Sequence, residues 1–422
     1  MLHGWNYLTA DDREQILRGI ADGEVYGGPY HIELDWVDKC NARCFFCNSE
    51  YLQNGQSVPL DAAVGWVDEA CAAGLRSMRF SGGGEPTLHP QFPEMLELLA
   101  ARGIVLDNLN SNGTNLTDRA IAALVRVPKN EIRISLNYPN AATYAEGMGL
   151  PAKFFDRTLE NIRKLNAARR GAESPGRLGL QFFIYKPTMH LIRECYELGR
   201  DLGADQIIFR ELWDIDPALY CTPEDVPLIL DQLRDVLRAD WATGAVESLL
   251  DSHGLMARVA RLYEELHAEL GGRPPRAPRA IDASNRYCYI GWYSMTIVGN
   301  KAVYPCCFLL PNKSIPALDS LEGKTLGQVW RGDGYRRFRK EMRDYFLLQS
   351  RIPWFDKRTR TISSACASHG ECGFIPSLSD DAFYEEAERR LQAVRRRPAV
   401  RLWRGANQFG QALERATSSA QR

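Results

Sequence analysis

Three cysteines crowd one short stretch, Cys40-Asn41-Ala42-Arg43-Cys44-Phe45-Phe46-Cys47, spaced C-x3-C-x2-C just after a strand-like run. Thiolates are soft ligands that suit zinc or iron–sulfur clusters. A structural zinc site closes with four protein ligands; here His31 sits upstream on the strand and His89 lies far downstream. Three thiolates can instead hold three irons of a 4Fe–4S cluster and leave the fourth iron open. A zinc knuckle that borrows a distant ligand, or three buried thiols, are the competing readings.

A second landmark follows. Ser81-Gly82-Gly83-Gly84-Glu85-Pro86 comes directly after Ser77-Met78-Arg79-Phe80, so a glycine-rich turn with one carboxylate closes a second strand. Glycines let a ligand or another backbone approach closely. In this order and spacing, the cysteine triplet and the later Gly-Gly-Glu-Pro resemble the radical S-adenosylmethionine (SAM) superfamily. The resemblance implies that Cys40, Cys44 and Cys47 ligate a cluster whose open iron chelates SAM. It implies that Gly83, Gly84, Glu85 and Pro86 form the methionine-binding turn, with Glu85 on the amino group. Softer carry-overs are Asn110 and Asn112 in Asn110-Ser111-Asn112-Gly113, Ser135 in Arg133-Ile134-Ser135-Leu136-Asn137, and Arg210 near SAM; Arg133 or Arg210 equally suit substrate binding.

A second cysteine set lies towards the C-terminus. Cys288 and Cys306 flank a stretch that reads as a β-hairpin turning at Val298-Gly299-Asn300-Lys301, and Cys366 and Cys372 lie on a later short loop. These four resemble the ligands of the auxiliary-cluster "twitch" domain, the short form of the SPASM extension. The helix patterns at 326–330 and 335–338 fit the same resemblance. The last pair is spaced C-x5-C, and Cys307 adjoins Cys306; the expectation is one auxiliary 4Fe–4S cluster with Cys306 as ligand and Cys307 a buried neighbour. A four-thiolate zinc site is the alternative. Cys71 and Cys195 fall on helix patterns and read as core thiols, and Cys221 has no assigned role.

The elements that must position these residues alternate. Strand runs at 31–36, 77–80, 105–110, 131–137, 180–185 and 206–212 are separated by amphipathic helix patterns. The fold class is therefore α/β. Six such units resemble the partial (β/α)6, TIM-like barrel of the radical SAM core, joined here to a small C-terminal hairpin and helix iron–sulfur domain. Strand alternation puts Glu33, Asp35, Asn108, Asn110, Arg133, Asn137, Tyr185 and Arg210 on the inward face. That lumen is too polar to be packing and suits a polar ligand, or else an internal network with water. Glu33, Asp35 and Tyr185 are the candidate catalytic side chains, the carboxylates as proton acceptors.

The expected organisation is an N-terminal extension (1–29), the partial barrel (30–213), a helical insertion with a breaker-rich linker (214–286), the auxiliary cluster domain (287–377) and a C-terminal helix and tail (378–422). The extension holds one short helix pattern, which is too short for the winged-helix peptide-recognition module common among peptide-modifying members of the superfamily.

The chain has 422 residues, 45% hydrophobic and 25% charged, with a formal net charge of −1. Those figures are ordinary for a globular protein, and no global field would recruit nucleic acid or a membrane surface. The start lacks a signal pattern and no apolar run is long enough to span a bilayer, so the expectation is cytoplasmic. Eleven cysteines there speak for metal ligation rather than disulfides.

The resemblance implies an enzyme in which an external donor such as flavodoxin or ferredoxin reduces the cluster, SAM is cleaved to a 5′-deoxyadenosyl radical, and that radical abstracts hydrogen. From the polar lumen and the short auxiliary domain, the expected substrate is a hydroxylated small molecule: a sugar, aminoglycoside or aminocyclitol of antibiotic biosynthesis. The outcome would be dehydrogenation or diol dehydration, the work of an oxidoreductase or lyase. The alternative is modification of a peptide or protein side chain, as in ribosomal-peptide or sulfatase maturation. A non-catalytic zinc scaffold is the more distant one.

Overall fold

The computed structural model describes residues 4–47, 49–174, 176–212, 216–250, 252–271, 289–307, 316–348 and 381–395. Cys288, Cys366 and Cys372 lie outside the described residues.

One sheet carries the architecture. Its order is β10-β9-β8-β1-β2-β3-β4-β5-β6-β7. The parallel part runs β1 (His31–Leu34), β2 (Ser77–Phe80), β3 (Val105–Ser111), β4 (Lys129–Asn137), β5 (Arg177–Ile184), β6 (Gln206–Glu211) and β7 (Val246–Leu249). Helices α2 (Leu60–Ala72), α3 (Phe92–Ala101), α4 (Asp118–Arg126), α6 (Lys153–Gly171), α7 (Ile192–Asp201), α8 (Val226–Asp240) and α9 (Leu255–Leu270) cross between strands, with α5 (Ala141–Met148) ahead of α6. Ile32, Leu34, Ile132, Ile134, Leu136, Leu180 and Phe182 are buried in the main core with the helix residues Leu96, Leu124 and Ile162. Their strand neighbours one residue on therefore face the concave side, as the alternation predicts.

The partial α/β barrel is as expected, with two differences of extent. The stretch read as a helical insertion also supplies a seventh parallel strand, β7, which pairs Ile207 with Val246 through Arg210 with Leu249. Its four residues lie between two long helices, so the helical period hides them. The C-terminal hairpin is also continuous with the barrel sheet. Its first strand β8 (Ser294–Ile297) pairs parallel with β1, placing Thr296 against Glu33, and β9 (Ala302–Tyr304) returns antiparallel before β10 (Asp319–Ser320).

A smaller core ties the ends of the chain together. Helix α1 (Ala10–Asp22) starts with a reciprocal cap, the Asp12 amide donating to Thr9 Oγ1 (3.1 Å) and the Thr9 amide to Asp12 Oδ2 (2.8 Å). Its Ile16, Leu17 and Ile20 pack with Trp5, Trp292, Phe338 and Cys306, and with Phe383, Ala387 and Leu391 of the last helix, α12 (Asp381–Arg395). Arg390 Nη1 and Nη2 of α12 reach both carboxylate oxygens of Glu14, each at 2.8 Å. Two further helices, α10 (Leu326–Trp330) and α11 (Asp333–Leu348), complete the described elements. Among the described residues no helix is long and apolar enough to cross a membrane.

Candidate active site and cysteine centre

The cysteine loop leaves the C-terminal end of β1, where barrel chemistry is expected. Arg43 braces it from within: its Nη1 donates to the carbonyls of Cys40 (2.8 Å) and Ala42 (2.9 Å), while its amide donates to the Met148 carbonyl (2.9 Å). Gly149 has φ 59°, and a Cβ there would meet the Arg43 carbonyl oxygen at 2.5 Å, so glycine is required where α5 ends on the loop. Phe46 lies 4.7 Å from the concave-face ring of Phe183. The loop therefore covers the lumen.

All three thiols are half-buried. Burial pushes Cys40 up to about 11, and burial with the charge of Cys40 and Cys47 pushes Cys44 up to about 12; burial raises Cys47 as well. Three neighbouring thiolates in such a place require a cation. Amide groups already point at two of the sulfurs: Asn112 Nδ2 at 3.9 Å from Cys40 Sγ and Gln53 Nε2 at 3.8 Å from Cys47 Sγ. Among the described residues no three His, Cys, Asp or Glu side chains are placed to share a single metal ion. A soft thiol donor set with N–H groups on its sulfurs fits an iron–sulfur cluster.

The glycine turn is built against this loop. Gly84 has an ordinary backbone conformation, yet a Cβ there would lie 2.2 Å from the Val37 carbonyl and 2.5 Å from that of Lys39. The Glu85 amide donates to the Lys39 carbonyl at 2.9 Å. The carboxylate of Glu85, 3% exposed, collects four donors: Thr87 N (3.1 Å), Thr87 Oγ1 (2.7 Å) and Ser111 Oγ (2.7 Å) on Oε1, and Asn112 N (2.7 Å) on Oε2. Burial still raises it above the usual carboxylate range. Glu85 thus clamps the turn after β2 to the turn after β3. Asn112 extends the clamp, its Nδ2 donating to Asn41 Oδ1 at 2.9 Å. The Gly83 amide donates to Asp35 Oδ2 at 2.9 Å, which joins the turn to β1.

On the concave face the strand registers align Glu33, Arg79, Asn108 and Glu131 across β1 to β4, with Thr296 of β8 beside Glu33. Ser81 Oγ and Glu33 Oε1 make a short hydrogen bond, and Arg79 Nη1 is 3.7 Å from the same oxygen. Arg133 Nε donates to Glu131 Oε1 at 2.7 Å. Arg210 Nη1 lies 3.4 Å from Gln181 Oε1. Ser135 shares its register position with Gln181, and Asn110 shares its own with Arg133. Asp35 is raised well above the usual carboxylate range by burial first and then by Glu33. The cluster-loop residues, the glycine turn and this polar face therefore lie around one lumen.

Tyr185 departs from the expected position. Strand β5 ends at Ile184, and a turn follows in which the Tyr185 amide donates to Thr188 Oγ1 (3.1 Å), so the alternation that placed Tyr185 inward stops one residue earlier. Its hydroxyl lies 3.3 Å from that of Tyr138, and its ring stands 5.7 Å from Phe45, beside the cysteine loop rather than with Glu33 and Asp35. Arg79, Glu131 and Gln181 were not singled out in the sequence. For Arg79 a signal exists, since it stands between the core residues Met78 and Phe80. After β9, Cys306 is buried in the smaller core and Cys307 packs against it, where Cys307 also feels the charges of Glu33 and Arg79.

Comparison with known proteins is consistent with this arrangement. Residues 36–174 match the radical SAM superfamily, and residues 288–350 match SPASM, an iron–sulfur cluster-binding domain. The chain is 26% identical to a tungsten-containing aldehyde ferredoxin oxidoreductase cofactor-modifying protein of Pyrococcus furiosus, over 84% of this chain and 92% of that one. It is 24% identical to the PqqA peptide cyclase of Gluconobacter oxydans, over 72% of this chain and 76% of that one. Among solved structures, Streptococcus suis SuiB bound to precursor peptide SuiA superposes with a TM-score of 0.55 at 15% identity, covering 77% of this chain and 70% of that one. Native anSMEcpe with AdoMet and a peptide superposes at 0.52 and 16%, covering 86% and 98%. At those identities the two structures speak for the fold alone.

The relatives correct the expected substrate. A peptide cyclase is matched over 76% of its length, which favours the peptide alternative over the expected sugar or aminocyclitol. A polar lumen is not by itself a hydroxyl-binding one. Its polarity is dominated by arginine–carboxylate pairs, Arg79 with Glu33 and Arg133 with Glu131.

Proposed function

This chain belongs to the radical SAM superfamily and carries a SPASM iron–sulfur cluster-binding domain, and from that premise we propose that it modifies a side chain of a peptide or protein substrate by hydrogen abstraction. It is an enzyme that binds 4Fe–4S clusters and SAM. The observation that carries the substrate reading is the similarity to a peptide cyclase over 72% of this chain and 76% of that one.

When bound, the cluster and SAM supply the reducing electron and the radical that takes hydrogen from an unactivated C–H bond. In this reading Cys40, Cys44 and Cys47 hold that cluster, and an external electron donor serves it. Cys306, with Cys288, Cys366 and Cys372 outside the described residues, holds the auxiliary one. The turn of Gly83, Gly84, Glu85 and Pro86 and the strand ends at Asn110, Asn112, Ser135 and Arg210 form the SAM-facing wall. Glu85 acts there through the backbone it clamps. Asp35, raised above the usual carboxylate range by burial, accepts from the Gly83 amide and orients it. The loop carrying Phe46 closes the lumen against water, which protects a radical from quenching.

The test is anaerobic reconstitution with iron and sulfide. About eight irons per chain, falling to about four when Cys40, Cys44 and Cys47 become alanine, is the expected result for two 4Fe–4S clusters. Supplied with SAM, dithionite and a peptide library, the intact protein should form 5′-deoxyadenosine and a peptide of altered mass. A protein that cleaves SAM but leaves every peptide unaltered defeats the substrate reading.

A further inference from the structure

The hairpin of β8 and β9 has one cysteine centre near each end. Strand β8 runs parallel to β1, with Ser294 beside His31 and Ile297 beside Leu34, and the pairing continues where the Asp35 amide donates to the Ile297 carbonyl at 2.8 Å. The hairpin therefore turns, at Val298–Lys301, beside the chain that leaves β1 for Cys40; the Lys301 amide closes that turn on the Val298 carbonyl at 2.7 Å. The return strand β9 runs back towards Cys306, which is buried with Trp5 and Phe338 in the smaller core.

Asp38 occupies the junction between turn and cysteine loop. It is 2% exposed and stands two residues before Cys40. The backbone N–H of Gly299, inside the hairpin turn, and the side chain of Asn54 donate to its carboxylate. The approach is close: a Cβ on Gly299 would lie 2.3 Å from Asp38 Oδ1 and 2.5 Å from its Cγ, so any side chain there would push the carboxylate away. The same Oδ1 lies 3.6 Å from where a Cβ on Gly83 would stand, in contact with the glycine turn after β2. The Asp38 amide in turn donates to the Gln56 carbonyl at 2.8 Å, which fixes the backbone at the root of the cysteine loop. A carboxyl group buried this far is costly unless it is hydrogen-bonded. Here its donors come from two separate segments, so satisfying it ties them to the loop.

We propose that Asp38 is a positioning residue, the latch by which the hairpin holds the cysteine loop and the glycine turn, and that it couples the two cysteine centres energetically. The proposal rests on the reading above, in which Cys306 serves the auxiliary cluster and Cys40, Cys44 and Cys47 the one that meets SAM. Cys306, once ligated, fixes the base of the hairpin and so favours the seated turn. The seated turn favours the loop geometry that receives SAM. By linkage, each site then strengthens the other by the same factor.

The experiment is a double-mutant cycle on the full-length protein, reconstituted anaerobically. SAM affinity is read by calorimetry, and the cysteine loop by hydrogen exchange at the Arg43 amide, which is bonded to the Met148 carbonyl. Cys306→Ala should weaken SAM binding about fivefold or more in the otherwise wild-type chain. In an Asp38→Ala background, where SAM already binds more weakly and the Arg43 amide exchanges faster, adding Cys306→Ala should change affinity by about twofold at most. Gly299→Ala displaces the carboxylate from the hairpin side and should reproduce Asp38→Ala. Asp38→Asn keeps an oxygen for the Gly299 N–H and should retain most of the coupling. Circular dichroism verifies each fold; if Asp38→Ala does not fold, the cycle is run with Gly299→Ala. Additive effects of Cys306→Ala and the latch variants, or SAM affinity indifferent to Cys306→Ala, overturn the latch. Iron content keeps the two claims apart. Loss of about four irons in Cys306→Ala with unchanged SAM affinity removes the latch and leaves the cluster assignment. Unchanged iron in Cys306→Ala removes that assignment and the coupling with it, and Arg43 exchange in Asp38→Ala then decides whether Asp38 positions the loop.

Discussion

Replacing Glu85 by glutamine asks whether the carboxylate of the glycine turn is a brace or a ligand. The wild-type group takes three donors on one oxygen and the Asn112 amide on the other. Hydroxyls of Thr87 and Ser111 can rotate, but the two backbone N–H groups cannot. Whichever way the new amide is turned, its NH2 faces the N–H of Thr87 or that of Asn112. One buried charge-assisted bond is lost, which costs about 1.5–3 kcal/mol. Glu85→Ala, which strands all four donors, should cost about 3–5 kcal/mol. Urea unfolding of the apo-protein measures both. Hydrogen exchange at the Asn112 amide provides the local readout, and 2 kcal/mol there means roughly thirtyfold faster exchange. If Glu85→Gln keeps wild-type stability and Asn112 protection while SAM affinity collapses, the brace argument is wrong and the carboxylate is a direct ligand group.

Other perturbations follow from the same contacts. Asp35→Asn removes a carboxyl that burial raises above its ordinary value of 3.8. The folded state keeps a proton that the unfolded state has lost, so wild-type stability is whole below that value and falls as pH rises towards the raised one. The Asp35→Asn variant should therefore gain on wild type by about 1.4 kcal/mol per pH unit, read from urea unfolding across a pH series; a constant offset contradicts it. Gly84→Ala places a methyl 2.2 Å from the Val37 carbonyl and should cost about 1–3 kcal/mol or more, with less iron retained per chain after reconstitution. Leu391→Ala on α12, fully buried against the N-terminal helix, should cost about 2–5 kcal/mol by calorimetric or urea unfolding, and a change within error would show that the helix does not belong to the core.

Much of this architecture is legible in the chain because the parallel strands alternate over most of their length, with register shifts between β2 and β3 and between β4 and β5. Ile132, Ile134 and Leu136 can face only the helices, so Arg133, Ser135 and Asn137 face inward. The cysteine triplet and glycine turn are equally plain, being local in sequence. What escaped depends on termination and on distance. Nothing in the residue type of Tyr185 reports that the strand stops at Ile184. Strand β7 is too short to show a period between α8 and α9. The work of Glu85 is set by Ser111 and Asn112, more than twenty residues away in sequence. Polarity alone does not separate hydroxyl recognition from charge recognition; of the two ion pairs, Arg79–Glu33 forms only when β1 and β2 align, whereas Arg133–Glu131 joins alternate residues of β4.

The central claim is that hydrogen leaves a peptide side chain. Its most direct test is isotopic: reconstituted protein, SAM and dithionite are incubated anaerobically with peptides deuterated at their side-chain carbons, and the 5′-deoxyadenosine formed is weighed by mass spectrometry. Deuterium carried into 5′-deoxyadenosine is the predicted result. Unlabelled 5′-deoxyadenosine from every peptide, with label arriving instead from a deuterated aminocyclitol, would contradict it.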